Sequence, residues 1–364
     1  MIPRHNEPIV EEFNYDTYLT MEAIDDMFSV KFSSDLEYNI DGTEWILLPA
    51  NTDSPVIGAG HKMSFRKTFA SGQGKSVGKF TFNKRCNLLG NCNSIIFGDA
   101  AMETWSLARY DHVYEEMFKG CAVVSIYEEF IPIQTLASYC YRYMFQNCTY
   151  LTNTPKLFAS ELPQYCYSYM FSGCTSLTFA YDMETTTIGG YSCEYMFNGC
   201  SSLVNMPKVE ATTLSNHCYR YMFQNCTSLK NVHALPATAL HPYCYYGMFL
   251  GCKSLTSAPE LPATELASNC YYQMFYGCTS LTTAPELPAT TLANGCYSYM
   301  FYGCTRLNYI KAMFTTTPST TYLNRWVYGV PSTGTFIKNA AAAWTDTFGT
   351  SAIPSGWTVQ TAEA

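Results

Sequence analysis

Apolar residues recur along most of this chain with a fixed spacing of 26 residues. Each repeat carries a Met-Phe pair, such as Met222 and Phe223, followed by a cysteine three residues after the phenylalanine. These cysteines are Cys148, Cys174, Cys200, Cys226, Cys252, Cys278 and Cys304. A fixed period of this length is typical of a solenoid, in which each repeat is one supersecondary unit stacked on its neighbours.

The first half of a repeat is predicted to be extended. In the unit that begins at Cys278, two leucines, Leu281 and Leu287, flank a stretch that contains Pro285 and Pro288. Proline lacks the backbone N–H and clashes with the preceding turn of a helix, so this stretch cannot be helical. We expect a short parallel strand followed by a bend.

The second half of a repeat has the spacing of a short helix. In the same unit, apolar residues follow one another at intervals of four, one and three: Cys296, Met300, Phe301 and Cys304. This spacing places them on one face of a helix, and Gly303 stands where a helix-terminating glycine is common. Stacking such units predicts an α/β solenoid with a parallel sheet on one side and short helices on the other.

Both ends of the chain depart from the period. Residues 1–80 contain five short strand-like runs separated by turn signals such as Asp41-Gly42, and predict a small antiparallel β-domain that serves for attachment. Degenerate units at 88–92, 117–121 and 326–330 bring the count to nine or ten turns, since terminal turns must cover an exposed core. We therefore divide the chain into 1–80, a solenoid at 81–330 and a cap at 331–364.

Two segments invite a functional interpretation, but the evidence for a site in either of them is weak. The glycine-rich stretch 70–78 includes Lys75, yet the spacing of a phosphate-binding loop is not met, and a plain loop is expected. In one unit Cys193 and Cys200 are seven residues apart rather than eight. Tolerated irregularity explains this unit, and a locally specialised binding surface is the alternative.

Composition excludes several classes. The net charge of −8 argues against nucleic-acid binding, which needs clustered Lys and Arg on one face. No apolar stretch is long enough for a membrane span. Residues 1–13 contain no apolar core of a secretory signal, so we expect none in this chain.

The 17 cysteines are explained by the repeat. Two cysteines eight residues apart on a helix lie about 12 Å from each other, too far for a disulfide. Cysteines of neighbouring turns stack with parallel side-chain directions, so we expect buried free thiols that behave as small hydrophobes. No CxxC pair is present and the histidines share no ligand spacing, so neither a metal nor a cofactor is expected.

The sequence carries no catalytic signature. HExxH and GxSxG motifs are absent, and the paired glutamates 115–116 and 128–129 are adjacent in sequence, as solvated charges usually are. We expect the chain not to be an enzyme.

Aromatic residues supply the positive functional signal. One tyrosine row follows the first cysteine of each repeat and another precedes the methionine; both are expected to pack between turns. The position between them, the variable column, holds Arg142, Ser168, Arg220, Tyr246, Tyr272 and Ser298. Variation inside a strict frame indicates solvent exposure, and Tyr, Ser and Arg suit recognition surfaces. We predict a binding surface formed by Arg142, Arg220, Tyr246, Tyr272 and Ser298.

The repeat itself carries a resemblance. The pattern CYxxMFxGCTSLTxAPELPATTLA, over about residues 85–330, resembles the cysteine-rich leucine-rich repeats of the BspA-like type. Such repeats are common in surface proteins of Bacteroidales and in proteins of the phages that infect them. The resemblance implies an adhesin or an interaction scaffold.

These observations favour a non-enzymatic phage virion protein, such as a tail-fibre, receptor-binding or head-decoration protein. Its N-terminal domain would contact other virion proteins, and its repeats would bind a host surface protein or glycan. It would neither bind nucleic acid nor insert into a membrane, and a homo-oligomer is possible. A cell-surface adhesin of Bacteroidales and an intracellular interaction scaffold are the alternatives.

Overall fold

The computed structural model describes residues 13–67, 76–103 and 105–363. Its strands are β1 (Leu19–Ala23), β2 (Lys31–Phe32), β3 (Leu36–Ile40), β4 (Ile46–Leu48), β5 (Lys62–Arg66), β6 (Phe80–Thr81), β7 (Cys86–Leu89), β8 (Val123–Ile126), β9 (Glu161–Leu162), β10 (Thr187–Ile188), β11 (Tyr309–Ala312), β12 (Thr335–Lys338) and β13 (Thr358–Thr361). Two one-turn helices, α1 (Ser94–Phe97) and α2 (Thr320–Leu323), and a 3₁₀ helix (Gly98–Glu103) complete the elements. Residues 1–12, in which no secretory signal is expected, and residues 70–75 of the loop that contains Lys75 lie outside the described residues.

The N-terminal region is a β-structure, as the sequence predicts, and its sheet continues into the solenoid. The six strands lie in the order β4-β3-β5-β1-β7-β8. Pairing is antiparallel from β4 to β7, whereas β7 and β8 are parallel. Strand β1 therefore covers the edge that the first solenoid strand would otherwise expose.

The extended halves of the repeats pair in parallel, as expected, but sparsely. Strands β9 and β10 form one short ladder. Elsewhere the contact shrinks to isolated parallel bridges, for example Ser257 with Thr283 and Thr283 with Tyr309. The prolines of this segment explain the sparseness, because each removes one backbone donor.

The second halves of the repeats are not helical, and the helix predicted over 296–304 is wrong. Within residues 105–319 the structure assigns no helix. In the unit ending at Gly303, every fourth residue is left-handed: Gly295, Tyr299 and Gly303 have φ of 62°, 57° and 72°. A residue with positive φ interrupts an α-helix, so the segment is a series of β-turns that we call the turn ribbon.

Backbone amides in the turn ribbon alternate between two kinds of partner. The Met300 N–H donates to the carbonyl of Tyr297, three residues earlier in the same ribbon, at 3.0 Å. Its neighbours Tyr299 and Phe301 donate to Asn324 and Trp326 of the following turn, each at 2.8 Å. Adjacent ribbons are therefore bonded to one another along their whole length.

In the part of the chain that the structure describes, eight ribbons share this geometry, and a degenerate ninth follows at 321–329. Their first residues, all with positive φ, are His112, Tyr139, Tyr165, Tyr191, His217, Tyr243, Asn269 and Gly295. The expected count of nine or ten turns is reached only if the irregular segments that contain β7 and Trp326 are counted as turns as well.

A column of stacked aromatic rings forms the centre of the core. Neighbouring centroids are 5.3 to 6.0 Å apart from the first ring to the last. The rings belong to Phe80, Phe118, Phe145, Phe171, Phe197, Phe223, Phe249, Phe275, Phe301 and Trp326. Aromatic pairs add about 0.5–1.5 kcal/mol each beyond the burial of their area, so the column stabilises every interface between turns.

The thiols of the periodic cysteines form hydrogen bonds between consecutive turns. The Cys226 thiol donates to the carbonyl oxygen of Phe197 in the preceding turn at 3.1 Å, and Cys252 does the same to Phe223 at 3.2 Å. All 17 cysteines are buried and free, which confirms the sequence interpretation. Burial raises the pKa of the Cys226 thiol to about 12, so the reactive thiolate is suppressed.

The unit with the shortened cysteine spacing keeps the frame by exchanging residue types. Ser192 occupies the cysteine position and donates to the carbonyl of Pro163 at 2.6 Å. Cys193 then stands where neighbouring turns place the tyrosines Tyr167 and Tyr219, which are buried. Tolerated irregularity accounts for the core of this unit.

Both ends of the core column are covered. At the N-terminal end Phe32 and Phe65 pack against Phe80, the first ring. At the C-terminal end β11, β12 and β13 form a parallel sheet, and Phe336 packs against the last ring, Trp326. The indole N–H of Trp326 donates to Ala352 at 2.6 Å. None of the helices within the described residues has the length and hydropathy that a membrane span requires.

Substitutions at Asn147 distinguish a turn ribbon from a helix. Asn147 is exposed and left-handed, with φ of 60°. Glycine adopts this conformation freely whereas alanine pays about 1 kcal/mol, so Asn147→Gly should be more stable than Asn147→Ala by about that amount. Urea unfolding of the two variants measures the difference.

The neighbour Gln146 has no positive φ and is the control, at which alanine should be the better residue. Alanine outperforming glycine at Asn147 would contradict the ribbon.

Candidate functional site

The outer surface of the turn ribbons carries two stacks of aromatic rings with the variable column between them. The first aromatic ladder consists of the residues that begin the ribbons: His112, Tyr139, Tyr165, Tyr191, His217 and Tyr243. The second lies four residues further along each ribbon and consists of Tyr143, Tyr169, Tyr195 and Tyr221. We call the two ladders and the variable column together the ladder face.

The first ladder is continuous over six turns. Its neighbouring ring centroids are 4.4 to 4.8 Å apart and its planes are within 12° of parallel. Burial and the nearby Arg220 lower the pKa of His217, which favours a neutral imidazole between its two tyrosine neighbours. All of these side chains are half-buried, so ring edges remain accessible to a partner.

The second ladder ends at Gly247, which occupies its tyrosine position in this turn, and the aromatic stack passes to the variable column. A Cβ placed on Gly247 would lie 2.4 Å from the Tyr221 ring, and the residue has φ of 58°. Glycine therefore leaves room for Tyr221 to lie over the next turn. From there the aromatic surface continues through Tyr246, which meets Tyr221 edge-on at 5.1 Å and stacks on Tyr272 at 4.7 Å.

Tyrosine at a left-handed position is strained, because such a conformation costs a residue with a Cβ about 1–2 kcal/mol. The positive φ values of Tyr139, Tyr165 and Tyr191 are 61°, 59° and 60°. Ring stacking on both sides returns an energy of the same size. The surface tyrosines therefore help to hold the ribbon while presenting their edges.

Arg142, a predicted site residue, lies between the two ladders. Its guanidinium carbon is 4.6 Å from the centroid of Tyr143 and 5.5 Å from that of Tyr139. One N–H donates to the hydroxyl of Tyr143 at 2.9 Å, and another is 3.5 Å from a carboxylate oxygen of Glu115. Arg142 is on the surface, and it is tied to the tyrosines around it.

Arg220, a second predicted site residue, neutralises a buried carboxylate. Its guanidinium donates to Glu194 at 2.9 Å, and the Glu194 side chain is only 9% exposed. Burial raises the pKa of Glu194, and the positive charge of Arg220 opposes that shift. The guanidinium also lies 5.2 Å from the Tyr221 centroid and 5.5 Å from that of Tyr246.

Of the remaining predicted site residues, two lie on the surface and one is buried. Tyr246 and Tyr272 lie on the ladder face and form an aromatic patch. Ser298 is 3% exposed, so its expected solvent exposure is wrong. Its hydroxyl faces the following turn, where it accepts a hydrogen bond from the N–H of Asn324 at 3.2 Å. Ser168, at the same position of another turn, is also buried, because a short side chain between two tyrosine rows is covered by them.

Sequence reasoning missed two parts of this surface. The first ladder was detectable as a tyrosine or histidine immediately before the first cysteine, as at Tyr139 and Tyr165. Glu194 belongs to the variable column but stands in the irregular unit, so its position was hidden by the shifted cysteine. The tyrosine row that follows the first cysteine is interior, as Tyr219 and Tyr271 illustrate.

The groups that the ladder face exposes are suited to non-covalent contact with a partner. It presents aromatic edges and hydroxyl groups, and its arginines are paired with carboxylates. In the part of the chain that the structure describes, no cluster of three or more His, Cys, Asp or Glu side chains could hold a metal ion.

Comparison with known families identifies the repeat. A family model described as BspA type Leucine rich repeat region matches in six copies, over residues 75–204, 111–248 and 219–325. A search of the curated proteins finds no match.

The stability that is lost when the positive charge beside Glu194 is removed should depend on pH. Arg220→Ala leaves a buried carboxylate unpaired, and we expect a loss of about 1–2 kcal/mol at pH 7 because the arginine is partly exposed. The folded pKa of Glu194 is raised, so its contribution to stability is present at low pH and is lost as pH rises. The loss should therefore shrink at pH 4.5, measured by urea unfolding.

Arg142→Ala is the matched control for this substitution. It also removes an arginine from the ladder face, but Glu115 keeps His112 as a partner at 2.6 Å. A deficit that is equal for the two variants at both pH values would contradict the role assigned to Arg220.

Proposed function

The chain belongs to the BspA-type leucine-rich repeat family, and on this premise we propose that it is a non-enzymatic recognition protein of a phage particle. The family repeat supports a protein-binding or adhesin-like role for the solenoid. We place that role on the ladder face, and its ligand is a protein or glycan of the host surface. The N-terminal sheet holds the solenoid in the particle.

The observation that carries this proposal is the aromatic patch of Tyr246 and Tyr272. The two rings are stacked at 4.7 Å with planes 9° apart, on a backbone whose ribbons are bonded to each other. Rigid tyrosines supply contact area at a low cost in conformational entropy, and their hydroxyl groups adapt to polar partners. A ligand therefore meets a surface that is already ordered.

The cysteines favour folding in a reducing compartment. Equivalent cysteines of neighbouring turns are expected about 4.8 Å apart, within the Cα separation of about 4.4–6.8 Å that a disulfide spans. Oxidation between turns would remove thiol donors such as the one from Cys226 to Phe197. Virion proteins fold in the host cytoplasm before they are released, which keeps these thiols reduced.

The edge of the N-terminal sheet supports an attachment role. Strand β4 lies at the end of the six-stranded sheet, and its residues Ile46 and Leu47 are 43% and 61% exposed. Exposed apolar residues on an unpaired edge strand are a template for pairing with another chain. We assign this edge to the contact with other particle subunits and with copies of this chain.

A Bacteroidales cell-surface adhesin is the second candidate, and the family repeat is the observation that favours it. It would use the same ladder face. An intracellular scaffold would keep the thiols reduced but gives no role to the apolar edge of β4.

Fractionation of the source material tests the location. We expect mass spectrometry to find this chain enriched in gradient-purified phage particles at a fixed copy number per particle, relative to the outer-membrane fraction of the same culture. Enrichment in the outer membrane instead would refute the virion assignment and establish the adhesin.

Variants of the aromatic patch test the ladder face. The double variant Tyr246→Ala/Tyr272→Ala should weaken binding of the purified chain to host cells at least tenfold, a loss of about 1.4 kcal/mol. Tyr150→Ala is the matched control, since Tyr150 is 52% exposed outside the ladder face. Flow cytometry of labelled protein measures the binding. Unchanged binding by a folded double variant would contradict the assignment.

A further inference from the structure

A groove with two compartments lies where the N-terminal region meets the first turns of the solenoid. The first compartment encloses about 250 Å³ and includes Asp16, Trp105, Tyr127 and Phe158 in its lining. The second encloses about 540 Å³, and it shares Asp16 and Tyr127 with the first. We call the two compartments together the junction groove. None of its lining residues belongs to the ladder face.

Aromatic rings in the first compartment are accessible and held on fixed backbone. Trp105 and Tyr127 are 49% and 39% exposed. The carbonyl of Trp105 accepts hydrogen bonds from Gln134 and Thr135 at 3.0 and 3.2 Å, and the N–H of Tyr127 donates to Leu88 at 2.8 Å. Their backbones are therefore anchored, while their rings face a cavity rather than the core.

Polar side chains with unused bonding capacity lie beside these rings. Asp16, Glu129 and Gln134 line the first compartment and are exposed to solvent. Within the described residues their side-chain oxygens have no hydrogen-bond or ion-pair partner in the protein, so they are available to a ligand. Burial, and then the negative charges of Glu129 and Asp16, raise the pKa of Tyr127. The compartment thus combines aromatic faces with hydrogen-bond acceptors at negative potential.

The second compartment repeats this combination. Phe13 and Tyr15 supply aromatic rings, and Asp16 is shared. Lys62 adds a cation, and its ammonium lies 4.6 Å from the Tyr15 centroid. An aromatic face beside a polar group therefore occurs twice along one continuous groove.

We propose that the junction groove binds a neutral oligosaccharide of at least two sugar rings. The apolar C–H face of each ring packs on an aromatic side chain, Trp105 or Tyr127 in one compartment and Tyr15 in the other. Sugar hydroxyls donate to the carboxylates of Asp16 and Glu129, and the Gln134 amide completes the recognition. Convergent polar groups in a mostly apolar cleft are the usual form of a small-molecule site.

Charge and length distinguish this ligand from two others. An acidic sugar would be repelled by Asp16 and Glu129 in the first compartment. A small organic cation is attracted by aromatic rings and carboxylates, but it would fill one compartment and leave the second, with Lys62, without a role. A chain of neutral rings uses both.

Titration of the full chain with neutral trisaccharides tests the proposal. The probes are trisaccharides built on glucose, galactose, mannose and N-acetylglucosamine, with a sialylated trisaccharide and tetramethylammonium for comparison, each followed by saturation-transfer NMR and calorimetry. We expect at least one neutral trisaccharide to bind, and the other two probes to bind at least tenfold more weakly. Absence of neutral binding, or binding of tetramethylammonium alone, would overturn the proposal.

Variants localise the binding and separate it from the proposed function. Trp105→Ala and Glu129→Gln should each weaken the trisaccharide at least tenfold, and Trp105→Phe should retain most of the affinity. Tyr246→Ala/Tyr272→Ala should bind the trisaccharide like the parent chain, even where it no longer binds host cells. Undiminished affinity in folded Trp105→Ala and Glu129→Gln would overturn the groove as the site, whatever the outcome for the ladder face.

Discussion

The backbone hydrogen bonds between consecutive turn ribbons are the constraint on which the rest of the structure depends. Because every second amide of a ribbon donates to the next turn, as Tyr299 does to Asn324, equivalent residues are forced into columns. The phenylalanine column fills the core, the cysteine thiols bond to the carbonyls of the preceding turn, and the surface tyrosines stack. A side chain that suits one turn therefore suits every turn.

The same constraint gives the protein two different kinds of surface. On the ribbons it produces the ladder face, which is rigid, repetitive and interrupted where Gly247 admits Tyr221. At the junction with the N-terminal region the repetition ends, and Trp105 and Tyr127 face a groove instead of a neighbouring turn. A recognition protein benefits from both, since a broad surface and a pocket select ligands by different chemistry.

The sequence predicts the period, the buried cysteines, the β-structured N-terminal region and the degenerate end turns, because each depends on spacing along the chain. It misassigns the ribbon, since intervals of four residues from Cys296 to Met300 and from Met300 to Cys304 suit a helix and a chain of turns equally. A tyrosine with positive φ carries no signal in a single sequence. The junction groove could not be predicted, because Asp16, Trp105 and Glu129 meet only after the N-terminal sheet closes on the solenoid.

Hydrogen exchange measured by mass spectrometry tests most directly whether the ribbons, and not the sheet, hold the turns in register. Every amide from 219 to 226 donates a backbone hydrogen bond, whereas between 227 and 240 only the amides of Leu229, Lys230, Asn231, Leu235 and Leu240 donate one within the described structure. The account predicts that a peptide covering 219–226 exchanges much more slowly than one covering 228–240. Faster exchange in the ribbon than in the proline-containing segment would contradict it.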